Sequence, residues 1–251
     1  MPRQAANVKE ASAQAAVHGD CEARSRDAAS SSELIKKMKK RYIIFDFDGT
    51  IANTNDIILE SWQATFRNYL GHELPVRDIE ATFGETLRHT ISCLIPDAEI
   101  EEVVDYYRKY QEEHNAGKVY VFPGVRELMD ELRARGCKVG IATSRTRHSL
   151  TNYMRDLGIE DCVDEIISVE DVSKHKPDPE SVTAILEKFG AEPGAAIMIG
   201  DTKYDVGCAQ NAGIDSVLVG WSHYVDMDSM AADGYAPTHQ IATPSELLDL
   251  I

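Results

Sequence analysis

The sequence predicts an α/β protein, a parallel sheet flanked by helices and interrupted once by a small helical bundle. Three observations carry that prediction. Short apolar runs recur, most of them ending in glycine or a polar residue. Amphipathic stretches lie between them and stop at glycine. One interval, from about Thr54 to Tyr120, carries only helical patterns.

The first apolar run is Tyr42-Ile43-Ile44-Phe45, which ends in Asp46. A continuous run of this length suits a strand buried on both faces. Val139-Gly140-Ile141-Ala142, Ile166-Ile167, Ala196-Ile197-Met198-Ile199 and Val217-Leu218-Val219 repeat the form, and a weaker strand is expected through His239-Gln240-Ile241. Between the strands, residues 125–135 place Val125, Leu128, Met129 and Leu132 on one helical face and stop at Gly136. Residues 147–157, 179–189 and 204–212 are helical in pattern and stop at Gly158, Gly190 and Gly213. Glycine just past a helix end is the usual stop signal. Strands alternating with such helices imply βαβ units.

The interval without strands follows the first strand. Residues 57–70, 75–83, 86–95 and 98–114 read as four helices, and Phe122-Pro123-Gly124 returns the chain to the sheet. A segment of this length is more than a crossover loop. The expected division is a core of residues 39–55 and 121–251 with an inserted helical domain over residues 56–120. Residues 1–38 have almost no bulky apolar side chains before Leu34. Such a segment buries too little surface to offset its ordering entropy. It reads as a disordered tail with a helical turn near residues 33–40, and Met38 as an alternative start.

The chain has 251 residues, 43% of them hydrophobic, enough for a substantial core. It carries 26 Lys and Arg against 42 Asp and Glu, a net charge of -16. So acidic a surface argues against nucleic acid and anionic membranes as partners. It also means that any anionic substrate needs local positive charge, from a metal ion or placed cations. No apolar run is long enough for a membrane span, and no secretory h-region is present. The five cysteines form no C-x-x-C pair, which suits a reduced, cytoplasmic setting, with Cys137 and Cys208 as buried, inert thiols. A monomer or homodimer is expected.

The strand ends carry the chemistry, because ligands of an open parallel sheet bind at the carboxyl ends of its strands. The first reads Asp46-Phe47-Asp48-Gly49-Thr50. Two carboxylates two residues apart on extended chain share a side, and Gly49 permits the turn that follows. Their repulsion is relieved by a hard cation with oxygen ligands, and Mg²⁺ fits. Alone, the pair would read as a solvated acidic loop. Gly200-Asp201 is followed by Asp205 at a spacing that puts both carboxylates on one face of a starting helix. Asp201 reads as a metal ligand. Asp205 reads either as its support or as an acid complementing the helix dipole. Thr143-Ser144-Arg145 offers hydroxyls and N–H groups as a phosphate cradle. In Lys174-His175-Lys176-Pro177-Asp178-Pro179 two prolines would hold one lysine in a set direction, Lys176 or the less favoured Lys174, though alone the stretch reads as a surface loop.

In this order, DFDGT, TS, KPDP and GDTKYD resemble the four motifs of the haloacid dehalogenase superfamily, from about Tyr42 to the C-terminus. The resemblance implies a Rossmann-like core with an α-helical cap. It implies Asp46 as the nucleophile that forms an aspartyl-phosphate and Asp48 as the general acid and base. Lys176 would stabilise the charged intermediate, and Gly49, Thr143, Ser144 and Lys176 would contact the phosphate. Mg²⁺ would be held by Asp46, the Asp48 carbonyl and Asp201, with Asp205 in support. Asp48 also separates the chain from the family's dehalogenases and phosphonatases, which lack it. The chain is most similar to phosphoglycolate phosphatases and the bacterial pyrophosphatases related to them, in stretches such as Asn53-Thr54-Asn55-Asp56 and Gln210-Asn211-Ala212-Gly213.

The expected activity is Mg²⁺-dependent phosphate release from a small substrate, a phosphoglycolate-type monoester or pyrophosphate. A phosphomutase of the β-phosphoglucomutase type uses the same carboxylates and is the alternative. A non-enzymatic phospho-acceptor domain is a remote third, since receiver domains have no helical insertion of this length. Trp62, Arg67, Arg88 and His89 are candidates to face the substrate, or ordinary helix-face residues.

Overall fold

The computed structural model describes residues 39–222 and 227–251. The tail expected over residues 1–38 lies outside them. The sheet holds β1 (Tyr42–Phe45), β4 (Lys138–Ala142), β5 (Glu165–Ile167), β6 (Ala196–Gly200), β7 (Asp215–Val219) and β8 (His239–Ile241). Its order is β5-β4-β1-β6-β7-β8, and every pairing is parallel. β1 is therefore central. Ile43, Ile44 and Phe45 are buried on both faces, which is why the run lacks polar alternation.

The remaining elements take their places around this sheet. They are α1 (Asn55–Leu70), α2 (Val76–Glu80), α3 (Leu87–Leu94), α4 (Ile100–His114), α5 (Val125–Ala134), α6 (Arg147–Leu157), α7 (Glu180–Phe189), α8 (Lys203–Ala212) and α9 (Met227–Ala232). α7 and α8 cover the sheet through a cluster that includes Ile44, Met198, Ile185 and Cys208. At Gly140 a side chain would come within 3.0 Å of Ile185, so a bare backbone lets α7 pack close to β4. α6, α7 and α8 end at Gly158, Gly190 and Gly213, each left-handed, as the pattern predicts.

Helices α1 to α4 build a second cluster of their own. Trp62, Phe66, Ile79, Ile91, Val103 and Tyr107 are buried in it. Trp62 stacks on Phe66 at 5.3 Å and meets Tyr107 at 4.8 Å. The helix expected over residues 75–83 is shorter, ending at Glu80. Thr82 turns its hydroxyl back to the Ile79 carbonyl, and Gly84 has φ +91°, so the chain leaves the helix before the glycine. A feature the pattern does not reveal is the antiparallel pair β2 (Ala52–Asn53) and β3 (Tyr120–Val121), which joins the two chain crossings into the insertion. Two residues per strand are too few to show a period. α9 and a 3₁₀ helix at Pro244–Asp249 are likewise beyond the predicted elements.

Among the described residues no helix is long and apolar enough to cross a membrane. Cys137 and Cys208 are buried as expected, and burial pushes both thiols up, Cys137 to about 11.

Candidate active site

Asp46 follows β1 at the centre of the sheet, where its N–H donates to the Ile199 carbonyl at 2.8 Å. Its neighbours are set by strand order: Thr143 follows β4 on one side and Asp201 follows β6 on the other. Only 5% of Asp46 is exposed. Lys176 reaches it from the loop before α7. The Lys176 ammonium donates to Asp46 Oδ1 at 2.8 Å, to Asp205 Oδ1 at 2.6 Å and to the Ala142 carbonyl at 3.2 Å. All three of its hydrogens are used. Lys174, by contrast, is exposed and lies 3.7 Å from Asp178.

Asp201 and Asp205 do meet, but not on a helical face. α8 starts at Lys203, with Thr202 as its cap, so Asp201 stands before the helix. Asp205 Oδ2 accepts from the Thr202 N–H at 3.0 Å and the Thr202 hydroxyl at 2.6 Å. Its other oxygen takes Lys176. Asp205 thus serves the helix start and the lysine together. Gly200 makes this turn possible, since a Cβ there would lie 2.2 Å from that of Asp205. Asp201 is held by the Ser222 hydroxyl at 2.6 Å. Gly49 has φ +72°, and a side chain at that position would fall 2.0 Å from an Asp201 oxygen. Its N–H donates to the Ala52 carbonyl, closing the turn after Asp48. Trp221 ties the same turn to β7, its indole donating to the Thr50 carbonyl at 3.1 Å.

Asp48 faces a different cation. Arg145 Nε lies 2.8 and 2.7 Å from its two oxygens, and the Thr54 hydroxyl donates to Oδ1 at 2.6 Å. The guanidinium sits 4.6 Å above the Tyr153 ring. Burial disfavours its charge, but Asp48 outweighs that and holds it ionised. In the sequence Arg145 follows Thr143 and Ser144 with no task of its own. The usable signal was arithmetic: the second carboxylate of DFDGT also needs a counter-charge, and Lys176 is taken. Thr143 is buried and its hydroxyl accepts from the Arg145 N–H at 3.1 Å. The Ser144 hydroxyl donates to the Gly84 carbonyl of the insertion at 2.9 Å.

The electrostatics are unbalanced. The Asp46 carboxyl is pushed up to about 7, with burial the largest cause. Lys176 pulls it down, and the charges of Asp205 and Asp48 push it further up. Burial and the neighbouring Asp205 and Asp46 raise Asp201 well above the usual carboxylate range. Burial works against the Lys176 charge, but Asp205 and Asp46 more than offset it and raise its pKa. Three buried carboxylates therefore surround one ammonium, and their oxygens lie within 4.8 Å of one another. An all-oxygen, anionic donor set short of positive charge fits a hard divalent cation such as Mg²⁺.

A cavity of about 130 Å³ opens above this floor, lined by Asp46, Asp48, Ser144, Arg145, Lys176 and Asp201 from the strand ends. The insertion lines its other side with Ile58, Trp62, Phe83, Glu85, Arg108 and Gln111, among others. The volume is below the roughly 300–1,000 Å³ of pockets for drug-sized ligands. Across the cavity, Tyr204 of α8 donates to Glu85 at 2.7 Å, and Thr90 donates to the other Glu85 oxygen at 2.9 Å. Of the four insertion residues singled out in the sequence, Trp62 lines the cavity. Arg67 and Arg88 are exposed and paired with Glu73 and Glu101, and His89 is exposed beside Cys93.

The sequence profile of the haloacid dehalogenase-like hydrolases matches residues 43–219, from β1 through β7. The chain belongs to that family. Among the hydrolase relatives, it is 30% identical to the pyrophosphatase PpaX of Bacillus cereus over 215 residues, 85% of this chain and 97% of that protein. A haloacid dehalogenase-like hydrolase of Bacteroides fragilis has a similar solved structure, with a TM-score of 0.75 at 27% identity, covering 83% of this chain and all of that one. A haloacid dehalogenase-like hydrolase of Streptococcus pneumoniae superposes with a TM-score of 0.72 at 25% identity over 84% of this chain and 98% of its own. A Lactobacillus plantarum structure named for phosphoglycolate phosphatase does so with 0.72 and 25% over 85% of this chain and all of its own.

Proposed function

We propose that the chain is a Mg²⁺-dependent phosphatase that works through an aspartyl-phosphate on Asp46. The observation that carries this reading is the floor of the cavity: a buried carboxylate held by a spent lysine, next to a carboxylate turned toward a separate arginine. Asp46 is buried and aimed by Lys176. Asp48 is partly exposed and can exchange a proton with a bound group.

In this reading an Asp46 oxygen attacks phosphorus and the bond to the leaving oxygen breaks. Asp48 gives that oxygen its proton. Water then attacks the phosphorus, Asp48 takes the water's proton, and phosphate leaves with Asp46 restored. Lys176 stays charged throughout and offsets the anion at Asp46. Gly49, Thr143 and Ser144 flank the phosphate position; the Ser144 amide and the Thr143 hydroxyl are the available donors, since the Ser144 hydroxyl is spent on Gly84 and the Gly49 and Thr143 amides on the Ala52 and Ile167 carbonyls. Asp46 and Asp201, with the Asp48 carbonyl, would hold Mg²⁺, and Asp205 would support them through Lys176. The ion supplies charge neutralisation to the phosphoryl oxygens.

Residues 56–120 act as the cap over a core of residues 39–55 and 121–251. The substrate is small, with pyrophosphate and a phosphoglycolate-type monoester as the leading candidates. The PpaX relative and the phosphoglycolate phosphatase likeness support that choice, and so does the small cavity. Phosphate release should require added Mg²⁺ and stop with chelator. Asp46→Asn should lose at least ~10⁴-fold in kcat while its circular dichroism matches wild type. Substantial activity in that variant would remove Asp46 from the chemistry.

A further inference from the structure

The cavity presents four carboxylates and three cations, and the cations are not equally committed. Lys176 is engaged by Asp46 and Asp205. Arg145 is engaged by Asp48. Arg108, the third, makes no hydrogen bond or ion pair with any described residue. The contrast holds within the insertion as well. Its other arginines, Arg67, Arg77 and Arg88, each pair with a carboxylate, and Lys109 and Lys118 do the same. In a chain of net charge -16, carboxylate partners are abundant. An arginine left without one at a cavity wall is free to bind an incoming anion.

Its position is specific. Arg108 lies on α4, one turn before Gln111, so the two side chains share a face. Both line the cavity and also the cleft that adjoins it, so they stand where the two meet. This is the side of the cavity formed by the insertion, where the leaving group must lie if phosphorus sits over Asp46. Gln111 is buried and donates to the Tyr107 hydroxyl at 3.3 Å, which fixes it beside the arginine.

We infer that Arg108 binds a second anionic group, on the leaving-group side of the substrate, and so selects phosphate compounds that carry one. The inference rests on the phosphatase reading above and deepens it. A second phosphate and a carboxylate share the chemistry, since a guanidinium fork accepts either in two parallel hydrogen bonds. A neutral hydroxyl gains no such pair.

The test compares wild type with Arg108→Ala and Arg108→Lys on pyrophosphate, phosphoglycolate and 2-hydroxyethyl phosphate. The last replaces the carboxylate of phosphoglycolate by a neutral hydroxymethyl group. Arg108→Ala should lower kcat/KM by about 10- to 100-fold on the anionic substrate and leave 2-hydroxyethyl phosphate within about threefold. Arg108→Lys should recover part of the loss, as a point charge without the fork. Whichever of pyrophosphate and phosphoglycolate shows the selective loss identifies the second group. An equal loss on all three compounds, or no loss on any, overturns the role of Arg108 while leaving the phosphatase reading intact. Wild type releasing no phosphate from any of the three overturns the phosphatase reading, and this inference with it.

Discussion

The strand ends and the helical insertion face one cavity with opposite designs. At the strand ends every charge has an assigned partner: Lys176 with Asp46 and Asp205, Arg145 with Asp48, Ser222 with Asp201. The insertion offers an apolar wall of Ile58, Trp62 and Phe83 and one uncommitted arginine. On the proposed reading the strand ends serve one reaction and the insertion receives the group that leaves, so that chemistry and substrate choice are encoded in separate parts of the chain.

The contrast is broken most severely at Lys176. Replacing it with Met leaves Asp46, Asp201 and Asp205 buried without their ammonium. Removing one partner of a buried ion network costs about 3–5 kcal/mol, so the urea midpoint should fall sharply and activity with it. A variant as stable as wild type would mean that the network is not held by Lys176.

Tyr204→Phe sharpens the comparison from the other side. It deletes the hydrogen bond between α8 and Glu85, a direct tie between the two regions. The expected cost is about 0.5–1.5 kcal/mol, appearing as a few-fold rise in KM with kcat nearly unchanged. A loss confined to kcat would place Tyr204 with the chemistry instead.

The smallest effect is expected at Asp171, a carboxylate away from the cavity. Its position is the reverse of that of Asp46. Slight burial raises its pKa, but the Ser168 hydroxyl and N–H and the Arg147 guanidinium outweigh it and hold the carboxyl below its usual value. A depressed folded pKa adds stability above the unfolded value, and that stability is lost as pH falls through the folded one. Asp171→Asn should therefore cost less than about 1 kcal/mol near neutrality, given solvent screening. The gap from wild type should close below about pH 4. A gap that stays constant down to pH 3 would contradict the linkage.

The two regions also differed in how far the sequence could be read. The buried strands of the sheet announced themselves as apolar runs, their ends carried Asp46, Asp48 and Asp201 in motifs whose meeting follows from strand order, and Lys176 stood in a motif of its own in the loop before α7. The Asp201–Asp205 pair was expected on one helical face and instead meets across the start of α8, because Thr202 caps the helix. Arg145 was hidden because its partner lies 97 residues away. The β2–β3 pair was too short for any pattern. In the insertion, periodicity gave the helices but not which face meets the cavity. Trp62, Arg67, Arg88 and His89 were equivalent in the sequence, and tertiary packing alone separates Trp62 from the rest. Arg108 stood out only once the ion pairs of its neighbours were known.

The central claim is that Asp46 carries the phosphoryl group. The most direct measurement is chemical trapping during turnover. Wild-type protein is mixed with Mg²⁺ and substrate, quenched during turnover, reduced with borohydride and peptide-mapped by mass spectrometry. An aspartyl-phosphate is reduced to homoserine, so residue 46 should convert in a substrate-dependent manner and remain aspartate in its absence. Conversion at another residue, or none while phosphate is still being released, would contradict the account.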